Sequence, residues 1–162
     1  MRQTEMRQAA EINSWDLCSG SAVRRASRQL GQLYDDVVEP SGLRTTQFSL
    51  LTQVHNSGEP SMKGLAADLV MDLSALGHTL KPLLRDGLIE LVPDAEDRRV
   101  KRVKLTAAGE NKRREALQLW QDAQARFDQV FGAAESAALR RAMATIASPD
   151  FARAFAAAGK KE

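Results

Sequence analysis

Cysteine, histidine and aromatic residues are all scarce in this chain of 162 residues. It has one cysteine, Cys18, and two histidines, His55 and His78. A single thiol excludes an internal disulfide framework and leaves no CxxC pair for metal binding or dithiol chemistry. A His/Cys metal centre or a Cys–His nucleophilic pair therefore lacks parts, and no Gly-rich phosphate loop is present. The expectation is a protein that is not an enzyme and carries neither metal nor cofactor. Aromatics reach only 5%, too few for a mainly β protein. No apolar run approaches the ~20 residues of a membrane span. Met1 to Ala10 carries charges and Gln where a signal peptide needs an apolar core, which points to the cytoplasm and away from membranes. Excess charge is scarce as well: 23 Lys and Arg against 21 Asp and Glu give a formal +2. Any polyanion partner must be read from the placement of charge, since the total says nothing.

Alanine is what the chain has in quantity, 25 residues with 17 of them after Leu105. Alanine is the best helix former, so the fold class is mainly α. Val23, Ala26, Leu30, Leu33, Tyr34 and Val37 make the apolar stripe of a first helix, ended by Glu39-Pro40-Ser41-Gly42. A second helix follows Thr45 or Thr46 and buries Phe48, Leu51 and Val54. Ser61 caps a third, with Leu65, Ala66 and Leu69 inward, and Asp72 caps a fourth. Gly87 suits the left-handed residue that ends the fourth helix, with Leu88 folding back on Leu83. The period then changes to that of a hairpin. Its arms are Leu88–Val92 and the alternating Arg102-Val103-Lys104-Leu105, joined by the polar loop 93–99. Thr106 caps another helix, and Gly132 breaks the helical remainder. Helices three and four stand at helix-turn-helix spacing, and the hairpin behind them makes a winged variant.

At 100° per residue the fourth helix has two faces. Leu73, Leu76, Leu80, Leu83 and Leu84 point to a core, and Ser74, His78, Lys81 and Arg85 fall opposite. That row is either a solvated face or one that enters a DNA major groove, where such side chains meet phosphates and base edges. Pro82 lies within the same helix, and a kink near His78 is expected. The hairpin favours DNA. Arg98, Arg99, Lys101, Arg102 and Lys104 place five cations on it with no acid between them, and a projecting tip can reach a minor groove. Asp97 is placed to pair with Arg99 and hold this wing.

The run Leu88-Ile89-Glu90-Leu91-Val92-Pro93-Asp94-Ala95-Glu96-Asp97-Arg98-Arg99 and the following Val103-Lys104-Leu105-Thr106-Ala107-Ala108-Gly109 resemble the wing signature of the MarR family of bacterial transcription regulators. Leu73-Ser74-Ala75-Leu76, Leu83 to Leu88, and Ser41 to Phe48 extend the resemblance over residues 15 to 115. It implies a homodimeric winged helix-turn-helix repressor that binds a palindromic operator and is released by a small phenolic or anionic ligand or by an oxidant. It also implies DNA contacts at Ser74, His78 and Lys81 and at Arg98 or Arg99 on the wing, to which the outer helix row adds Arg85 and the basic run adds Lys101. The regions expected are a dimerisation helix in 1–40, the DNA-binding domain in 41–106 and dimerisation helices in 107–162. The C-terminal apolar residues, among them Trp120, Phe127, Phe131, Ile146, Phe151 and Phe155, exceed what a small winged domain can cover and agree with a partner subunit. In a two-fold pair the recognition helices would lie roughly 34–36 Å apart on an inverted repeat. Cys18 is the candidate redox sensor, although Asp16 is close and no lysine is adjacent, so nothing local is expected to lower its pKa; a small buried hydrophobe is its other role. Trp15, Tyr34, Phe48 and His55, with Trp120, either line an effector pocket or belong to the core. A winged-helix module that binds protein instead of DNA is the competing function.

Overall fold

A computed structural model of the chain describes residues 17–159. Along it run α1 (Ser19–Val38), a 3-10 turn (Glu39–Ser41), α2 (Thr45–Ser57), α3 (Met62–Asp68) and α4 (Leu73–Arg85). The hairpin β1 (Ile89–Pro93) and β2 (Lys101–Leu105) follows, then α5 (Ala107–Phe131), α6 (Ala133–Ile146) and α7 (Pro149–Ala158). None of the described helices is long and apolar enough to cross a membrane.

The cap residues set the helix starts. Ser61 Oγ accepts the Gly64 N–H at 3.0 Å, Asp72 Oδ1 the Ala75 N–H at 2.7 Å, and Thr106 Oγ1 the Gly109 N–H at 3.0 Å. Each satisfies one of the donors that a helix N-terminus leaves unpaired. At the end of α4, Gly87 has φ +67°, the Leu88 N–H bonds to the Leu83 carbonyl at 2.9 Å, and the Gly87 N–H bonds to Leu84 at 3.1 Å. Those two bonds form a Schellman ending. Because Leu88 is used in the cap, the strand begins one residue later than its apolar run indicates. Helix α4 continues through Pro82 to Arg85.

One core joins α2, α3, α4, the hairpin and the first half of α5. Leu51, Leu65, Leu76, Leu80, Leu83, Val103 and Ala116 are fully buried within it. Leu73 departs from the expected pattern: it lies 53% exposed, because the first turn of α4 extends past the edge of the core that Leu76 and Leu80 fill. The turn before it holds Val70 at φ +53°, a left-handed conformation that β-branched residues rarely adopt.

Strands β1 and β2 pair antiparallel, with Ile89 opposite Leu105 and Leu91 opposite Val103. A bridge from Ser61 to Arg102, with the Val103 N–H donating to the Pro60 carbonyl at 2.9 Å, fastens β2 to the start of α3. The wing is thereby fixed to the helix-turn-helix. The first half of α5 packs on this unit through Ala116 and Trp120, and its second half faces α1 through Phe127, 6.4 Å from the Tyr34 ring. Gly132 (φ +100°) separates α5 from α6. A further break, at Ser148-Pro149, divides the C-terminal segment again, with Ser148 as cap and Pro149 in the first turn of α7.

Candidate nucleic-acid interface

The site begins with the outer row of α4. Ser74, His78, Lys81 and Arg85 are all exposed, held on a rod whose opposite side is anchored by Leu76, Leu80 and Leu83. Lys81 Nζ lies 3.3 Å from His78 Nδ1. An ammonium group can only donate, so Nδ1 is the acceptor in this contact. Arg85 turns back on its neighbour, Nε to Asp86 Oδ1 at 2.8 Å, so its charge is partly compensated within the chain.

The five wing cations divide into two kinds. Arg102 pairs with Asp94 and also donates from Nη1 to the Glu59 carbonyl at 2.9 Å, and Lys104 reaches Glu59 at 3.5 Å. Arg99 holds Asp97, Nε to Oδ1 at 3.0 Å, while its own N–H donates to the same oxygen at 3.1 Å. Arg98 and Lys101 are exposed and have no acidic partner among the described residues. Three cations therefore build the wing and two are left available to an outside anion. These pairings give the Asp-x-Arg spacing a physical reason. Asp97 ties down the backbone and side chain two residues on, leaving Arg98 between them at the tip.

Asp94 organises the same loop. Its Oδ1 accepts the Glu96 and Asp97 N–H groups at 2.9 and 3.0 Å. The Asp97 N–H, the Arg102 guanidinium and the Glu96 N–H hold its carboxyl down from 3.8 to about 2. A carboxyl depressed by folding supports the wing fully above its ordinary value of 3.8, and that support is lost as pH falls through about 2. The Glu96 and Asp97 amide resonances should therefore titrate together with a midpoint near 2, and Asp94→Asn should abolish the step. A midpoint at the ordinary carboxylate value would contradict the loop geometry.

The base of the wing explains the Leu-Thr-x-x-Gly pattern. Thr106 Oγ1 donates to the Gly87 carbonyl at 2.7 Å, and the Thr106 N–H donates to Leu88 at 3.1 Å. Gly109 is buried one turn further on, with the Leu88 backbone pressed against its Cα.

The proposed effector residues do not converge on one cavity. Phe48 is buried in the core with its ring 6.0 Å from that of Trp120, so it is packing. His55 is half-exposed and faces another hollow, its Nδ1 3.1 Å from Glu110 Oε2. Tyr34 lines a mostly apolar cavity of about 360 Å³ between α1 and α5, with Leu30, Val37 and Phe127, and donates to Gln124 Oε1 at 3.0 Å. Trp15 lies outside the described residues. Only distant pairing, which residue spacing does not report, separates these aromatics. The sequence reading also missed the buried Arg113, which donates to Glu110 at 2.7 Å; its one signal was the Glu-x-x-Arg spacing.

Cys18 corrects two expectations. It is exposed, not a buried apolar residue, and it caps α1 by accepting the Ser21 N–H at 3.4 Å. Local groups also lower its pKa: hydrogen bonding from Ser21 leads, and the Arg24 charge adds to it. The helix start supplied what no neighbouring lysine did.

Comparison with known proteins agrees with this geometry. The family model described as "MarR family" matches residues 43–101, the span from α2 to the start of β2. A crystal structure of the M. tuberculosis transcriptional regulator MosR in complex with DNA is 35% identical, with a TM-score of 0.74, covering 88% of this chain and 99% of that one. The chain belongs to the MarR family. The multiple antibiotic resistance protein MarR of Salmonella typhimurium is 31% identical over 90 residues, which are 56% of this chain and 62% of that relative. The match thus spans less than two thirds of this curated MarR protein. A mutant MarR from E. coli complexed with operator DNA is 25% identical, with a TM-score of 0.70, covering 78% of this chain and 91% of that one. The helix-turn-helix and wing described above are thus the MarR fold.

Proposed function

We propose that this chain is a cytoplasmic transcriptional repressor that binds an inverted-repeat operator as a homodimer. One observation carries the reading. An exposed row of Ser74, His78 and Lys81 on a rigidly backed helix stands beside a braced wing whose Arg98 and Lys101 have no acidic partner among the described residues. The related MosR and E. coli MarR structures contain DNA, which supports the same role here. In this reading α4 enters the major groove, the wing tip tracks an adjacent minor groove, and phosphate contacts set the register.

Self-association is supported by apolar surface that the single chain leaves open: Val130 is 88% exposed and Phe155 75%, and α7 buries no residue. Such surface on a soluble-type fold marks an interaction site. The cavity beside Tyr34 is suited to a small apolar or phenolic effector and Cys18 to an oxidant, two routes by which DNA could be released.

A mobility-shift series tests the DNA reading. Arg98→Ala and Lys101→Ala should weaken all duplexes alike, whereas Ser74→Ala or His78→Ala should relax preference at particular base pairs by about 1–3 kcal/mol each. Unchanged affinity in all four variants would show that α4 and the wing are not the interface.

A further inference from the structure

Gly77 stands in the middle of α4, where glycine is less stable than alanine because it adds backbone entropy and exposes the main chain. The usual reasons for a helical glycine are missing. Its φ is not among the positive values of the chain, and a Cβ built on it meets no atom within 4 Å. Gly109 shows the contrast, since there the Leu88 backbone occupies the space of a side chain. The space over Gly77 is open, and the residue stands half-buried at the border of the recognition row, with Leu80 on its core side. Leu73 and Ser74 lie one turn before it and Lys81 one turn after, all exposed, with His78 adjoining.

We propose that Gly77 is the point at which the α4 backbone comes closest to DNA, its missing side chain leaving room for a base-pair edge. The inference rests on the groove-entering role proposed for α4. A helix with its side chains is about 10–12 Å across and the major groove is about 12 Å wide, so depth of entry depends on side-chain size along the leading edge. A glycine there lets the rod sink until Ser74 and His78 reach base edges on either side of it along the helix, with Lys81 on a phosphate. Leu73, left exposed at the N-terminal end, then lies near enough for apolar contact with a thymine methyl group. The exposed leucine and the unsupported glycine have one explanation.

The test separates fold from recognition. The wild-type protein is first used to select a 30-base-pair duplex from a random-sequence pool; Gly77→Ala and Gly77→Leu are then measured on that duplex and on an unrelated one. Gly77→Ala should melt at the same temperature as wild type or higher, while its affinity for the selected duplex falls at least tenfold. Gly77→Leu should lose more, and both should keep affinity for the unrelated duplex, which phosphate contacts dominate. Wild-type affinity for the selected duplex in both variants would overturn the proposal, as would a lower melting temperature for Gly77→Ala. Failure of the wild-type protein to select any duplex would overturn the DNA reading itself, and is seen before any variant is made.

Discussion

Gly109→Ala is expected to be among the most damaging single substitutions in this chain. A Cβ at that position would collide with the carbonyl oxygen of Leu88 and lie 2.8 Å from its carbonyl carbon and 3.3 Å from its Cα. These are backbone atoms and cannot rotate aside. The Leu88 carbonyl also accepts the Thr106 N–H, and the Leu88 N–H closes the end of α4, so movement there disturbs both recognition helix and wing. Overpacking a tight site typically costs ~1–3 kcal/mol and more when the neighbour cannot yield, so a loss of about 3 kcal/mol or more is expected. For a domain of this size that lowers the melting temperature by roughly 6–12 °C. Thermal denaturation checks it; a melting temperature within a degree of wild type would mean that the α5–wing junction is looser than described. The same measurement on Gly77→Ala supplies the opposite expectation for a glycine in open space.

Phe151→Asp combined with Phe155→Asp is expected to separate the subunits of the proposed homodimer. The two rings stack 6.4 Å apart on α7, a helix with no buried residue in the single chain. Their replacement therefore removes little from the folded subunit, on the order of ±0.5 kcal/mol as for exposed positions generally. It places charges on the surface proposed to meet the partner, where unpaired carboxylates are costly to desolvate. Loss of the pair makes each half-site bind alone, and affinity for an inverted repeat should fall by roughly 10²–10⁴. Sedimentation should show one species at half the wild-type mass, and a single half-site duplex should be bound as before. An unchanged mass would exclude α7 from the interface.

How much of this was legible in the sequence depends on the range of the interaction. Ser61, Asp72 and Thr106 as caps, Gly87 as helix terminator and Gly132 as break are local decisions made within four residues, and each stands in the structure. The hairpin and the inward set Leu76, Leu80 and Leu83 were legible for the same reason, since periodicity records which face is buried. Leu73 was misplaced because periodicity gives a direction around the helix and not the point along it where the core ends. Of the wing pairings, Asp97 with Arg99 was legible two residues apart, and the rest were not. Arg102 and Lys104 are taken up by Glu59, more than forty residues away, and only the fold brings it alongside. Cys18 was misjudged because its cap bond depends on where α1 starts, four residues before its first apolar stripe residue. The Ser148-Pro149 break carries an ordinary helix-start signal that the surrounding alanines obscured.

The salt dependence of DNA binding tests the central claim most directly. Lys81, Arg98 and Lys101 of two chains would neutralise six phosphates, so log K against log salt should fall with a slope of about −5 for a duplex selected by the wild-type protein. Arg98→Ala should shallow that slope by about 2 when both chains carry it. Flat salt dependence, or a slope that the loss of Arg98 and Lys101 leaves unchanged, would contradict the account and favour a winged module whose partner is protein.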